Sequence, residues 1–426
     1  MTITIFLGSL LGAMAIGTPI AFALLLCGVM LMFHLDLYDA QIVAQNVING
    51  ADSFPLMAVP FFMLAGEIMN AGGLSRRIVT IAMALIGHVR GGLGYVAILA
   101  SCVMASLSGS AVADAAALGA LLVPMMVRAG HDRARSAGLI ASGGIIAPII
   151  PPSIGFIIFG VAANVSITKL FLAGIVPGLL LGLGLVFTWW LVARNESVEP
   201  PRRASRREVA HAILDGFWAL LLPVIIIVGL KMGVFTPTEA AVVAAVYSLF
   251  VATVIYRELR PAQLFGLFVT AAKTTSVVMF LVAAAMVSAW MITVADLPGQ
   301  VTELLAPFMD NQTLLMIAIM LLVVIVGTAM DMTPTILILT PVLMPVIKEA
   351  GIDPIYFGVL FIINNAIGLI TPPVGVVLNV VAGVAKIRMD ELIRGVWPFM
   401  ITHLIVLVLL ILFPILVTGP ASWFYG

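Results

Sequence analysis

At 426 residues the chain has room for two or three soluble domains, but 62% hydrophobic and only 9% charged residues exclude that class, because soluble domains run nearer 25% charged. Twenty Lys+Arg against twenty Asp+Glu leave zero formal charge, so there is neither a basic footprint for nucleic acid nor an acidic solvated tail. A mean hydropathy of +1.22 names a lipid bilayer as the partner, and Cys27 and Cys102, both in apolar runs without metal or disulfide spacing, offer no redox or metal chemistry.

A helix crosses about 30 Å of hydrocarbon with roughly 20 residues. In chain order the stretches 3 to 33, 54 to 71, 170 to 193, 216 to 234, 239 to 256, 274 to 293 and 396 to 418 meet that test. The first opens MTITIFLGSL, without a positive n-region, and stays apolar to Phe33, so a retained span is expected there rather than a cleaved signal. The segments 38 to 52, 74 to 90, 259 to 272 and 296 to 309 are shorter and mixed in polarity. They read as helices lying along the interface, bracing a frame around a part that moves. Two further regions, 91 to 163 and 311 to 385, are apolar but broken by Gly, Pro, Ser and Thr.

The broken regions are copies of one another. A shift of 221 residues aligns Pro124 with Pro345, Pro151 and Pro152 with Pro372 and Pro373, and Pro177 with Pro398, without a gap. Gly130 falls on Gly351, Asp132 on Asp353 and Gly174 on Gly395 in the same register. Internal duplication is the usual build of secondary transporters. Loop charge gives the relative orientation, since Lys and Arg collect in cytoplasmic loops. Segments 76 to 90 and 128 to 135 carry Arg76, Arg77, Arg90, Arg128, Arg133 and Arg135, whereas their counterparts carry Asp296, Glu303, Asp310, Glu349 and Asp353 against Lys348 alone. The two repeats are therefore expected to be inverted.

With the N-terminus cytoplasmic, the acidic segment 34 to 53 is external and the five-arginine linker 194 to 211 is internal. The expected division is a first repeat over 1 to 193, a cytoplasmic linker and connecting span over 194 to 238, and a second repeat over 239 to 426. Both flanks of 91 to 128 look cytoplasmic, so that region should enter and leave on one side as a re-entrant hairpin. Its partner is 311 to 349. Each hairpin precedes a helix broken by a proline pair, 136 to 163 and 354 to 385. Nine full crossings result, in an all-α polytopic membrane protein.

The hairpin turns SLSGSAVAD (106 to 114) and GTAMDMTPT (327 to 335), with the breaks APIIPPS and LITPPVG, concentrate unpaired helix ends near mid-membrane. Irregular backbone is tolerated there only inside protein or along a wet cavity. Free carbonyls and hydroxyls suit a hard monovalent cation, and helix N-termini suit an anion. The pattern points to an anionic solute plus sodium, with Ser108, Ser110, Ser153, Thr333, Thr335 and Thr371 supplying oxygens. Each such hydroxyl also has the option of bonding its own helix backbone. Asp331 is a costly carboxylate in a spanning segment, roughly 2.5 to 3.5 kcal/mol at the centre, and is expected to be functional. Asp114 could equally cap a helix or contact solute or ion.

Other residues take plainer readings. In T-P-T-E, Thr236 and Glu239 form a capping box. Glu67 snorkels or pairs with Arg76 or Arg77. Gly178 to Gly182 is a close-packing site. The five histidines scatter mostly at interfaces. No H-E-x-x-H, Walker loop or G-x-S-x-G occurs, so ATP-driven or hydrolytic chemistry has no residues to stand on and no enzyme is expected.

Taken together, SLSGSAVADAAALGALLVPMM (106 to 126), ASGGIIAPIIPPS (141 to 153), GTAMDMTPT and LITPPVGVVLNV (369 to 380) resemble the large membrane subunit of tripartite ATP-independent periplasmic (TRAP) transporters over essentially the whole chain. The resemblance implies sodium-driven import of a carboxylate-bearing solute, most similar to the sugar-acid branch, in a bacterial inner membrane. It implies a periplasmic solute-binding protein, a small four-helix membrane subunit as a separate chain, no cofactor beyond sodium as coupling ion, and an elevator movement of the hairpin-bearing domain. Carried onto this sequence, sodium is implied near Ser106, Ser110 and Pro151, and near Gly327, Thr328, Thr335 and Thr371; solute contacts are Ser108, Ser110, Asp114, Ser153, Asp331 and Thr333. A sodium/proton antiporter of related inverted-repeat build is the alternative, which would need no binding protein.

Overall fold

The computed structural model describes residues 2–194, 198 and 201–425, so part of the linker expected at 194 to 211 lies outside the described residues. All regular structure among them is helical. Nine helices there are long and apolar enough to cross a membrane. They match six of the seven spans expected from sequence and add three hairpin arms.

The chain begins with α1 (Thr2–Ala15) and α2 (Ile20–His34). This corrects the expected single span over 3 to 33. Gly17 at φ +82° and Pro19 break the run, and the two helices pack side by side as a helical hairpin. At fourteen and fifteen residues, each rises only about 21 to 23 Å. Two short packed helices thus stand where one crossing was expected.

Next come α3 (Ala40–Ala51), α4 (Ala58–Ala71) and α5 (Leu74–Ile86). The first hairpin is α6 (Gly92–Ser108) with α7 (Ala111–Arg128), and the first broken helix is α8 (Arg133–Gly144) with α9 (Ile154–Ala163). Then follow α10 (Ile167–Ala193), α11 (Arg206–Lys231) and α12 (Pro237–Phe250), the last extended by a π turn to Ile255. The expected interfacial segment 259 to 272 and the span 274 to 293 are instead one helix, α13 (Pro261–Val294). Its 34 residues reach about 51 Å. After α14 (Leu297–Leu305), the second hairpin is α15 (Gln312–Ala329) with α16 (Met332–Glu349). The second broken helix is α17 (Pro354–Gly368) with α18 (Val376–Ala385), followed by α19 (Met389–Leu412) and α20 (Ile415–Tyr425).

The helix boundaries repeat in the register of the prolines. Shifting α7 by 221 residues lands on the bounds of α16, and α6, α9 and α10 land within two residues of α15, α18 and α19. Both proline pairs contain a cis peptide bond, Pro151–Pro152 and Pro372–Pro373. The copies also exchange partners, since α7 packs on α18 while α16 packs on α9. Each hairpin's second arm thus leans on the far half-helix of the other copy.

Local chemistry accounts for the ends. Asp132 and Asp353 occupy equivalent N-caps, accepting from the backbone amides of Arg135 (2.8 Å) and of Ile355 and Tyr356 (2.6 and 3.0 Å), which satisfies donors that a helix start leaves unpaired. Thr236 and Glu239 form the expected capping box, as do Ser205 and Glu208 at the end of the linker.

Packing fixes the frame. Gly178 and Gly182 lie against Ile150 and the Cys102 sulfur, as expected of a close-packing stretch. The Trp189 indole N–H donates to the Gly91 carbonyl at 2.8 Å and roofs Gly94, anchoring the foot of the first hairpin to α10. Arg76 and Arg77 do not take Glu67 as partner. Arg77 pairs with Glu258 at 2.7 Å and Asp215 at 3.2 Å and lies over the Tyr256 ring, and Arg76 also pairs with Glu258. The acids come from elements far along the chain, so local spacing could not reveal them.

Candidate functional site at the paired breaks

The first hairpin turns at Gly109, whose φ of +62° is the left-handed region that favours glycine. A Cβ there would collide with the carbonyl oxygen of Pro152. The hairpin tip and the first break are therefore in backbone contact. Around this joint, Ser108 donates to Asp114 Oδ1 at 2.5 Å, and the Ser108 hydroxyl in turn accepts from the Ser110 amide at 3.1 Å. Ser110 caps α7 through the Ala113 amide at 3.4 Å. Ser153 donates to the Pro148 carbonyl at 2.5 Å and caps α9 through the Phe156 amide at 3.1 Å. One Asp114 oxygen, Oδ2, is buried without a partner. That leaves a hard oxygen free inside protein, an expensive state unless something fills it.

The second copy is built alike but more open. Gly327 on α15 meets Gly368 on α17, where a Cβ would approach the opposite backbone to 2.9 Å. Small residues allow that approach and leave carbonyls close together. Asp331 holds the N-cap position of α16, yet its side chain makes no capping hydrogen bond, and the residue is exposed. Thr333 and Thr335 are buried behind it. Pro373 and Val374 in the second break are exposed, whereas Pro151 and Pro152 in the first are buried.

The two copies meet through Met332, whose thioether lies 3.2 to 3.3 Å from where a Cβ of Gly155 would stand. The second hairpin tip therefore touches the start of α9, immediately after the first break. Of the site residues expected from sequence, the first copy gathers Ser108, Ser110 and Asp114 into one bonded group, with Pro151 and Ser153 across the Gly109 contact. The second places Gly327, Asp331, Thr333, Thr335 and Thr371 along one hairpin and break. No hydrogen bond joins Asp331 to Ser110. Several hydroxyls take the plain backbone option: Ser106 donates to Val103, Thr328 to Ile325, Thr335 to Asp331 and Thr371 to Ile367, at 2.6 to 2.8 Å. Their lone pairs remain able to accept or to coordinate.

Sequence reading missed Asn364 and His403 and took Asn365 only as the start of the second break implied by the resemblance. Asn364 and Asn365 are buried on α17, donate to the Met320 and Phe361 carbonyls at 2.6 and 2.9 Å, and each leaves Oδ1 without a partner. Consecutive amides in an apolar stretch were the available signal. His403 was grouped with interfacial histidines, but it is fully buried with Nε2 3.1 Å from the Ser142 carbonyl. Among the described residues no three His, Cys, Asp or Glu side chains gather as a metal site. The donors on offer are carbonyls, hydroxyls, amides and single carboxylates, a set suited to a monovalent cation and a hydrogen-bonding solute.

Comparison with known proteins gives the family. The family model described as "Tripartite ATP-independent periplasmic transporter, DctM component" matches residues 7–416. The 2,3-diketo-L-gulonate TRAP transporter large permease protein YiaN of Escherichia coli is 62% identical, covering 99% of this chain and 100% of that one. The sialic acid TRAP transporter large permease protein SiaM of Vibrio cholerae is 39% identical over 95% of each chain. In fold alone, the YdaH transporter of Alcanivorax borkumensis is similar at a TM-score of 0.65 with 15% identity, covering 92% of this chain and 91% of that one. With a match over nearly its whole length, the chain belongs to the DctM component family of tripartite ATP-independent periplasmic transporters, as a large permease.

Proposed function

We propose that this multi-pass permease imports a sugar acid together with sodium across the bacterial inner membrane. The observation that carries the reading is the pairing of each hairpin with a broken helix, Gly109 on Pro152 and Gly327 on Gly368, beside buried oxygens that lack partners. Sodium occupies the carbonyl and hydroxyl clusters near Ser106, Ser110 and Pro151 and near Gly327, Thr328, Thr335 and Thr371. The solute carboxylate and hydroxyls engage Ser108, Ser110, Asp114, Ser153, Asp331 and Thr333, with helix N-termini favouring the anion. Sodium entering with a carboxylate nearly cancels the charge placed in low dielectric. The names of two relatives, which specify 2,3-diketo-L-gulonate and sialic acid, support a sugar acid as the class.

In this reading both hairpins are re-entrant, and the hairpin-bearing part slides as an elevator against a frame of α2, α3, α4, α5 and the long α13. A periplasmic binding protein delivers the solute and a small four-helix membrane subunit completes the frame. The linker faces the cytoplasm. With α1 and α2 doubling back, this reading puts the N-terminus on the same, periplasmic side as segment 34 to 53. The test is accumulation of a labelled sugar acid by proteoliposomes holding the permease, its small subunit and a loaded binding protein under an inward sodium gradient. Uptake driven equally by potassium, or unchanged without the binding protein, refutes it.

A further inference from the structure

A cavity of about 540 Å³ lies between α5 and α11, away from the paired breaks. It is closed on one side where α11 meets α5. There a Cβ on Gly216 would run into Ile81, and Asp215 pairs with Arg77 at 3.2 Å. Beyond that contact the lining divides in two. Arg203 and Arg206, with His88 beside them, form a cationic mouth, while Leu85, Val209 and Ile213 form apolar walls.

Among the described residues the mouth is not neutralised from within. Glu208, the acid nearest in sequence among the described residues, is engaged by Arg202 at 2.5 Å and by the Ser205 amide at 2.6 Å. Among the described residues no carboxylate pairs with Arg203 or Arg206, and Nδ1 of His88 is buried without a partner. The walls lead outward onto apolar surface, with Leu85 41%, Ile213 39% and Leu214 72% exposed. A small free anion would use only the mouth and leave that surface unexplained. An amphiphile with an anionic head uses both.

We propose that this cavity binds the phosphate headgroup of an anionic phospholipid, with acyl chains along Leu85, Ile213 and Leu214. The planar forks of two arginines match phosphate oxygens, and basic groups just outside a membrane helix are drawn to anionic lipid at about 1 kcal/mol each. A bound headgroup ties the linker end to α5 and so the connecting helix to the first repeat. The inference does not depend on which solute is carried or on sodium coupling.

The experiment is native mass spectrometry of the full-length chain, delipidated in detergent and titrated with phosphatidylglycerol, with phosphatidylcholine, or with inorganic phosphate as competitor. The expected result is a saturable phosphatidylglycerol adduct weakened about thirtyfold in Arg203→Gln/Arg206→Gln, the equivalent of about 1 kcal/mol per arginine. Arg203→Lys/Arg206→Lys should retain most of it, showing that the fold tolerates change at these positions. Arg257→Gln/Arg260→Gln, outside the cavity, should leave it unchanged. Equal adducts with phosphatidylcholine, an undiminished adduct in the glutamine variant, or complete displacement by millimolar phosphate would overturn the assignment.

Discussion

The Cα of Gly109 stands so close to the carbonyl of Pro152 that no side chain fits between them. This contact joins the tip of the first hairpin to the break in the helix that follows it. It shows how a site made largely of backbone can be specified by sequence. Gly109→Ala meets two penalties at once, a left-handed backbone and a collision, together roughly 2 to 4 kcal/mol. Uptake should fall sharply and the melting temperature in detergent should drop. Gly266→Ala, where nothing lies within 4 Å of the added methyl, is the control and should leave uptake unchanged without lowering the melting temperature.

Asp331 and Asp114 should separate into distinct behaviours. Asp331 makes no capping bond, so Asp331→Asn should fold and assemble normally while uptake falls about tenfold or more, the scale of a lost charge-assisted contact of roughly 1.5 to 3 kcal/mol. Near-normal uptake at equal expression would reduce Asp331 to a bystander. Asp114→Asn preserves shape beside Ser108 but replaces one carboxyl oxygen with an amide nitrogen at a buried site where Oδ2 lacks a partner. Uptake should fall at least as far without loss of thermal stability.

Sidedness can be read by cysteine labelling in a background lacking Cys27 and Cys102. Arg207→Cys should react only from the cytoplasmic side and Glu303→Cys only from the periplasmic side. Thr2→Cys should follow Glu303, because α1 and α2 double back. Labelling of Arg207→Cys and Glu303→Cys from one side would refute the inversion, and Thr2→Cys following Arg207 would refute the N-terminal hairpin's placement.

Much of the fold was legible because proline, glycine and charge punctuate an otherwise uniform apolar chain. Pro151, Pro152, Pro372 and Pro373 marked the breaks, and the boundaries of α7 and α16 recur in the register those residues set. The turn at Gly17 and Pro19 carried the same punctuation, but hydropathy on both sides masked it as one span. In α13, the mixed polarity of 259 to 272 suggested an interfacial piece where a 34-residue helix continues, since packing against α2 and α3 overrides a local polarity signal. His403 was silent for another reason. A lone polar residue in a membrane helix reads alike whether it faces a neighbour, a cavity or the interface, and only the fold tells which. Arg77 found Glu258 and Asp215 across elements no spacing rule connects.

The central claim, that the paired breaks hold sodium, is tested most directly by the melting temperature of the full-length chain titrated with sodium chloride against potassium chloride at constant ionic strength. A ligand at one hundred times its dissociation constant adds about 2.7 kcal/mol to the folded state. The account predicts a saturable rise with sodium that potassium does not reproduce and that Ser110→Ala diminishes. An equal rise with both salts, or none with either, would contradict it.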